Sequence, residues 1–351
     1  MARSGPCPAP SVGLASVAVD FARRSLILAI AVALVTSGCG GGATQTVTAT
    51  SASKRADWAV LAHAARPLDL AGPRHDGTLV VAVGRRLALL GRNGRVRSFA
   101  SEYVSVGGAE PYIALSPGGC FGQDTVYALQ LRSPKGVLAV TPSGTRLFAR
   151  VGGSGLLDGI AFDQVGRFGH DLLVTRTAAA KTTVLAIDCH GRVRTVTRSA
   201  PRMEGGIAVA PLTFGRFGGD LIAPDEHSGR IFAVTSRGSS LLVANSGLPR
   251  GGDVGVESEA FAPSGSWAAF VADRRTPGNP HPGDDAILRI QGTALMAAGV
   301  RAGDLLVAIE GGALTESVTC TKAGCRTRLV AQGPTAAHVE GHLVVASSFS
   351  R

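Results

Sequence analysis

The sequence predicts an all-β chain: a β-propeller of six blades, or of seven irregular ones, behind a signal helix and a flexible tether. Three observations carry this. A Phe-Gly-x-Asp phrase recurs, an apolar–polar alternation of period two recurs between turn residues, and an acidic residue repeatedly opens an apolar run. Self-similarity at 40–50 residues with several short strands per repeat is the pattern of propeller blades.

The first phrase reads Phe121-Gly122-Gln123-Asp124, Phe168-Gly169-His170-Asp171 and Phe217-Gly218-Gly219-Asp220, at successive spacings of 47 and 49 residues. Each copy precedes a short apolar run. Weaker relatives open at Asp76, Trp267 and Gly303. The second phrase is two alternating runs around a Gly-containing turn, the pattern of a β-hairpin. It occurs at 87–99, 137–148, 184–196, 231–243, 287–296 and 318–330, which gives six hairpins. Helical periodicity is confined to the N-terminal signal.

The third phrase is an acid, then small residues, then an apolar strand. Glu110, Asp158, Glu204 and Glu257 open four copies, and Glu340 opens a fifth at the C-terminus. The first blade shows no copy of its own. Residues 340–347 are therefore expected to serve as the innermost strand of the blade holding residues 77–99, closing the ring and removing its open edges.

Ahead of the repeats lies an export segment. Arg23 and Arg24 precede an apolar run at 26–35, too short to span a bilayer but suited to a signal peptide. The run ends at Thr36-Ser37-Gly38-Cys39, a lipobox-like sequence. The expected organisation is a signal peptide over 1–38, a lipid-bearing Cys39 with a Gly/Thr/Ser-rich tether over 39–56, and the propeller over 57–351. The protein would then be lipid-anchored at the extracytoplasmic side of the cell membrane. Setting aside Cys7 and Cys39, four of the six cysteines remain. Cys320 and Cys325 flank a turn and are expected to form a disulfide; Cys120 and Cys189 form a second bridge or stay as buried thiols.

The formal charge is +10, yet the basic residues are scattered and aromatics make up only 5%. Nucleic-acid binding would cluster the one and interleave the other, so it is excluded as the reading of this charge. The expectation is a monomer whose partners are the membrane, through its lipid, and a small molecule or protein.

The chain resembles six-bladed propellers of the NHL-repeat and gluconolactonase (senescence-marker-protein) superfamily. The resemblance lies in the order of Gly-Ile-Ala-Val, Asp-Leu-Leu-Val and a hairpin over about residues 76–347. It implies that the acid-led strands line the central channel, so that Glu110, Asp158, Glu204, Glu257 and Glu340 ring one mouth. Converging carboxylates need a cation or protons, and oxygen-only ligands suit Ca²⁺. In gluconolactonase-like enzymes a Glu-Gly-Pro glutamate, an Asn and an Asp hold the metal. Glu204-Gly205 and Glu340-Gly341 match the first motif without its proline, and Asp158-Gly159 matches the third. No Asn opens an inner strand; Asn93 sits in a hairpin turn. The primary reading is a ligand- or partner-binding module with a cation site at the channel, and the alternative is a metal-dependent lactonase or esterase. Asp225-Glu226-His227 follows a strand, where it could present a base or a ligand; the preferred reading is a solvated loop.

Overall fold

The computed structural model describes residues 54–106 and 110–347. The signal segment, Cys39 and most of the tether lie outside them. The described chain forms six blades of four or five strands around a central channel. The second strands, such as Leu79–Val83, Ala268–Asp273 and Leu305–Ile309, are buried at nearly every position, so both their faces are covered, one by each neighbouring blade. The core is accordingly six separate seams. Leu68, Val80 and Val126 fill the seam between blades 1 and 2, and Leu157, Val174 and Tyr127 the next. Leu79, Phe270 and Val344 join blade 6 back to blade 1.

Blades 2 and 3 follow the expected order from the inside out. Blade 2 runs Ile113–Pro117, Gln123–Gln130, Gly136–Thr141, Gly144–Arg150, and blade 3 Leu156–Phe162, Leu172–Ala178, Lys181–Ile187, Val193–Pro201. Blade 4 is similar, from a two-residue inner strand Ala208–Val209 to Ser240–Asn245. The recurrent Phe121, Phe168 and Phe217 are buried in the turns that lead to each second strand, two of them in short 3-10 segments.

Three expectations are corrected. Blade 1 has its own inner strand, Pro67–Ala71, paired with Leu79–Val83. Its acid, Asp69, stands inside the strand instead of opening it, so the phrase is hidden. The C-terminal strand Val339–Ala346 consequently does not join blade 1; it pairs with Ala268–Asp273 as the inner strand of blade 6. Finally, residues 287–296 are not a hairpin. Ala286–Gln291 is a strand, and a short helix Gly292–Ala297 succeeds it.

Blades 5 and 6 are interleaved. The inner strand Val256–Phe261 pairs with Leu305–Ile309, not with the next strand in the chain. The chain leaves blade 5, builds two strands of blade 6 (Ala268–Asp273 and Ala286–Gln291), and turns through the helix. It then returns to complete blade 5 with Leu305–Ile309, Thr315–Cys320 and Cys325–Gln332. The N-terminal residues finish both blades. Ala56–Asp57, which includes the last tether residue, adds in parallel to Cys325–Gln332, and Ala59–His63 adds antiparallel to Ala286–Gln291. Trp58, between them, is buried and donates from Nε1 to Thr315 Oγ1 at 2.9 Å. Blade 6 thus carries an N-terminal outer strand and the C-terminal inner strand, and the ring closes there.

Both bridges form: Cys320–Cys325 across its hairpin turn, and Cys120–Cys189 between blades 2 and 3.

Candidate functional site: an acidic channel mouth

The inner strands run in one direction along the axis, so their first residues gather at one mouth. A cavity of about 280 Å³ opens there, and Glu110, Asp158, Glu204, Glu257 and Glu340 all line it. Glu226, Asp253 and Glu310 join them, which makes eight carboxyls in one lining. Glu226 corrects the reading of residues 225–227 as a solvated loop: it is only 7% exposed, and His227 beside it lines the cavity too. Glu310 and Glu226 carry no repeat phrase; Glu310 comes directly after a second strand, Leu305–Ile309, and Glu226 directly after Leu221–Asp225. An acid immediately after a buried second strand is the signal that would have found both.

One side of the cavity is already neutralised. Arg274 Nη1 donates to Glu110 Oε1 at 2.9 Å and to Glu340 Oε1 at 2.7 Å. His338 Nε2 lies 3.0 Å from Glu310 and 3.3 Å from Glu340. Burial works against a charged His338, but the bonds to Glu310 and Glu340 outweigh it and lift the ring to about 9. It is an imidazolium at neutral pH. Tyr112 donates to Glu257 at 2.7 Å. Burial, then the charges of Glu310 and Glu340, hold the Glu257 carboxyl well above the usual range.

The other side is less satisfied. Arg202 grips both oxygens of Glu204, at 2.8 and 3.0 Å. Glu226 faces Glu310 and Glu204, and its Oε1 has no hydrogen-bond partner. Two carboxyls can share a hydrogen bond only if one keeps its proton. Burial first, then the Glu310 charge, push Glu226 up to about 10. Asp158 Oδ1 is also buried without a partner, and burial lifts that carboxyl to about 7. Glu204, Glu226 and His227 can bring one ligand atom each within 4.8 Å of one another, and Glu310, His338 and Glu340 can do the same. The second trio holds its own imidazolium. The first is the one with an unpaired oxygen and an opening to solvent, and its donor set fits a divalent cation.

A plug of side chains and backbone crosses the axis. Asp69 accepts from the N–H groups of Leu70, Ile113 and His342 at 2.6–2.7 Å. His342 Nδ1 lies 2.9 Å from Asp69 Oδ1, and its Nε2 lies 2.8 Å from the Ile160 carbonyl. Both neighbours are acceptors, so both ring nitrogens carry hydrogen and His342 is a buried cation paired with Asp69. Gly206 and Gly341 meet beside it. A Cβ on Gly206 would sit 2.8 Å from the Gly341 oxygen, and Gly341 holds φ +67°, so neither position admits a side chain without displacement.

No protein-family model and no curated protein sequence matches the chain. Among solved structures, it is similar to a virginiamycin B lyase from Staphylococcus aureus, at 12% identity and TM-score 0.43 over 81% of this chain and 92% of that one. The calcium-binding protein regucalcin from Agrobacterium tumefaciens matches at 13% identity and TM-score 0.44, over 80% and 79%. A gluconolactonase from Xanthomonas campestris matches at 14% identity and TM-score 0.40, over 62% and 69%. At these values the matches assign neither a family nor the role of any residue.

Proposed function

We propose that the protein is a lipid-anchored, extracytoplasmic propeller that binds a ligand or partner through a divalent cation held at its acidic mouth. The observation that carries this reading is the buried, unpartnered Oε1 of Glu226, one of the eight carboxyl residues that line the cavity beside His227. Unpaired buried carboxylates cost several kcal/mol each, and a cation offsets that cost where protons otherwise must. Carboxylate oxygens predominate, which suits Ca²⁺; the His227 imidazole at the rim would favour Mn²⁺ or Zn²⁺.

Calorimetric titration of the purified protein with each of the three ions tests this. Glu226→Gln is expected to weaken the bound ion by more than about tenfold, or 1.4 kcal/mol. Absence of saturable uptake of all three ions would remove the reading. The anchor has its own test: Cys39→Ala is expected to move the protein from the membrane fraction to the soluble one.

A second reading rests on Asp158. Its carboxyl, held at about 7, stands beside Glu204 with one oxygen unpartnered. A group poised near neutrality can activate water against a cation-polarised lactone or ester carbonyl. Hydrolysis of simple lactones that Asp158→Asn abolishes, with ion binding retained, would support it; no turnover of lactones or esters by the ion-loaded protein would set it aside.

A further inference from the structure

The inner strands that begin at the acidic mouth end at the opposite one, and there the character of the channel reverses. Beyond the plug of His342 and Gly341 lies a second cavity of about 690 Å³. Pro73, Leu115, Ala161, Val209, Phe261 and Val345 line it, one from each blade, and each leaves apolar surface partly exposed. This volume falls in the range of small-molecule pockets.

Among the described residues, its only ionisable lining groups are His342 and Glu259. Asp69 and the Ile160 carbonyl already satisfy His342. Glu259 is different: it is 1% exposed, and both its carboxyl oxygens are buried without a hydrogen-bond partner. Register places it in a row with Val307 and Glu316 across blade 5, so no cation stands beside it in that row. Burial, then the Glu316 carboxyl, hold it well above the usual carboxylate range. It therefore stands as a neutral acid, able both to donate and to accept.

We propose that this apolar mouth is a second binding site, for an uncharged hydrophobic small molecule that carries an N–H or hydroxyl group. The concave, floored shape selects a small molecule over a protein surface. The lack of any unpaired charge in the described lining selects an uncharged one, because a charged ligand would lose its hydration without a partner. Glu259 supplies the polar contact at the wall.

The test uses N-phenyl-1-naphthylamine, an uncharged fluorophore with one N–H, titrated into the purified protein in EDTA. Saturable, enhanced emission is expected. Ala161→Phe fills the cavity and should weaken binding by about tenfold or more. Leu115→Gln wets the wall, should act in the same direction, and decides the matter if Ala161→Phe does not fold by thermal melt. Glu259→Leu should weaken the probe while Glu259→Gln retains it. Glu226→Gln, at the other mouth, should leave the probe unaffected, which separates this site from the cation site. A parent protein with no saturable emission, or a folded cavity variant that binds as the parent does, overturns the proposal.

Discussion

At the scale of single residues, the channel is organised by buried ion pairs. The Asp69–His342 pair ties the inner strands of blades 1, 2, 3 and 6, because Asp69 bonds Ile113 and His342 bonds the Ile160 carbonyl. Asp69→Ala leaves an uncompensated buried imidazolium and three unpaired N–H groups. Chemical denaturation is expected to show a loss of about 3–5 kcal/mol. His338 controls the pH dependence. Its folded value, about 9, lies above the unfolded 6.5, so its contribution is complete below pH 6.5 and disappears as pH rises through 9. The shift corresponds to about 3 kcal/mol. Burial raises Glu316 to about 8 and, together with the Glu340 charge, Glu110 to about 7, which gives the same sign from pH 4.5 upward. Urea unfolding at pH 5, 7 and 9 should therefore show stability falling with pH, and His338→Gln should flatten the upper part of the fall.

At the scale of elements, the sheet edges explain the charge. The outer strands of blades 1 and 3 carry exposed Arg97, Arg194 and Arg198, and Cys325–Gln332 of blade 5, which Ala56–Asp57 pairs with only at residues 331–332, carries Arg326 and Arg328. Long charged side chains on an edge strand discourage pairing with another chain, and they account for scattered basic residues without a nucleic-acid partner. Two elements are cross-linked. Cys120–Cys189 spans a sequence separation of 69 and joins neighbouring blades. Chain-entropy reasoning assigns such a loop about 4 kcal/mol, against about 2 for the short Cys320–Cys325 loop. Denaturant melts of Cys120→Ser/Cys189→Ser and Cys320→Ser/Cys325→Ser should rank in that order; equal losses would mean that strain or residual structure dominates.

At the scale of the whole molecule, closure and function share the same blades. Blades 5 and 6 exchange strands, so neither has a complete sheet until residues 305–346 are in place. They are expected to unfold as one unit, with hydrogen-exchange protection of residues 268–273 and 305–309 lost together. Removing residues 54–63 strips the outer strand from both blades and the buried Trp58 from their seam. It should lower the melting temperature and expose sheet edges to aggregation, which size-exclusion chromatography would detect. Glu310, His338, Glu340 and Arg274 all come from this interleaved pair, so the same truncation should loosen the acidic mouth.

Residues that repeat were legible in the sequence. Glu110, Asp158, Glu204, Glu257 and Glu340 share one phase of the blade, and one phase means one mouth. Five of the six hairpins were equally legible, because alternation and turn residues are local. Residues 287–296 failed because an alternating run does not reveal whether a strand or a helix comes next. Strand partners were illegible where two apolar runs compete for one inner strand: Val256–Phe261 could have paired with Ala268–Asp273 as its neighbour in sequence, and pairs instead with Leu305–Ile309. A period of two places a side chain on a face but does not choose the strand beside it. The sequence by itself thus pointed to a propeller ring of six blades or of seven irregular ones and, through its resemblance to six-bladed propellers, to an acidic end; the structure decided on six. Only the tertiary structure decided which strands close that ring, and which groups pair across the channel. It alone brought Glu226, Glu310 and His338 to that end and left Glu226 with an unpaired oxygen, because these contacts join residues that no local pattern relates.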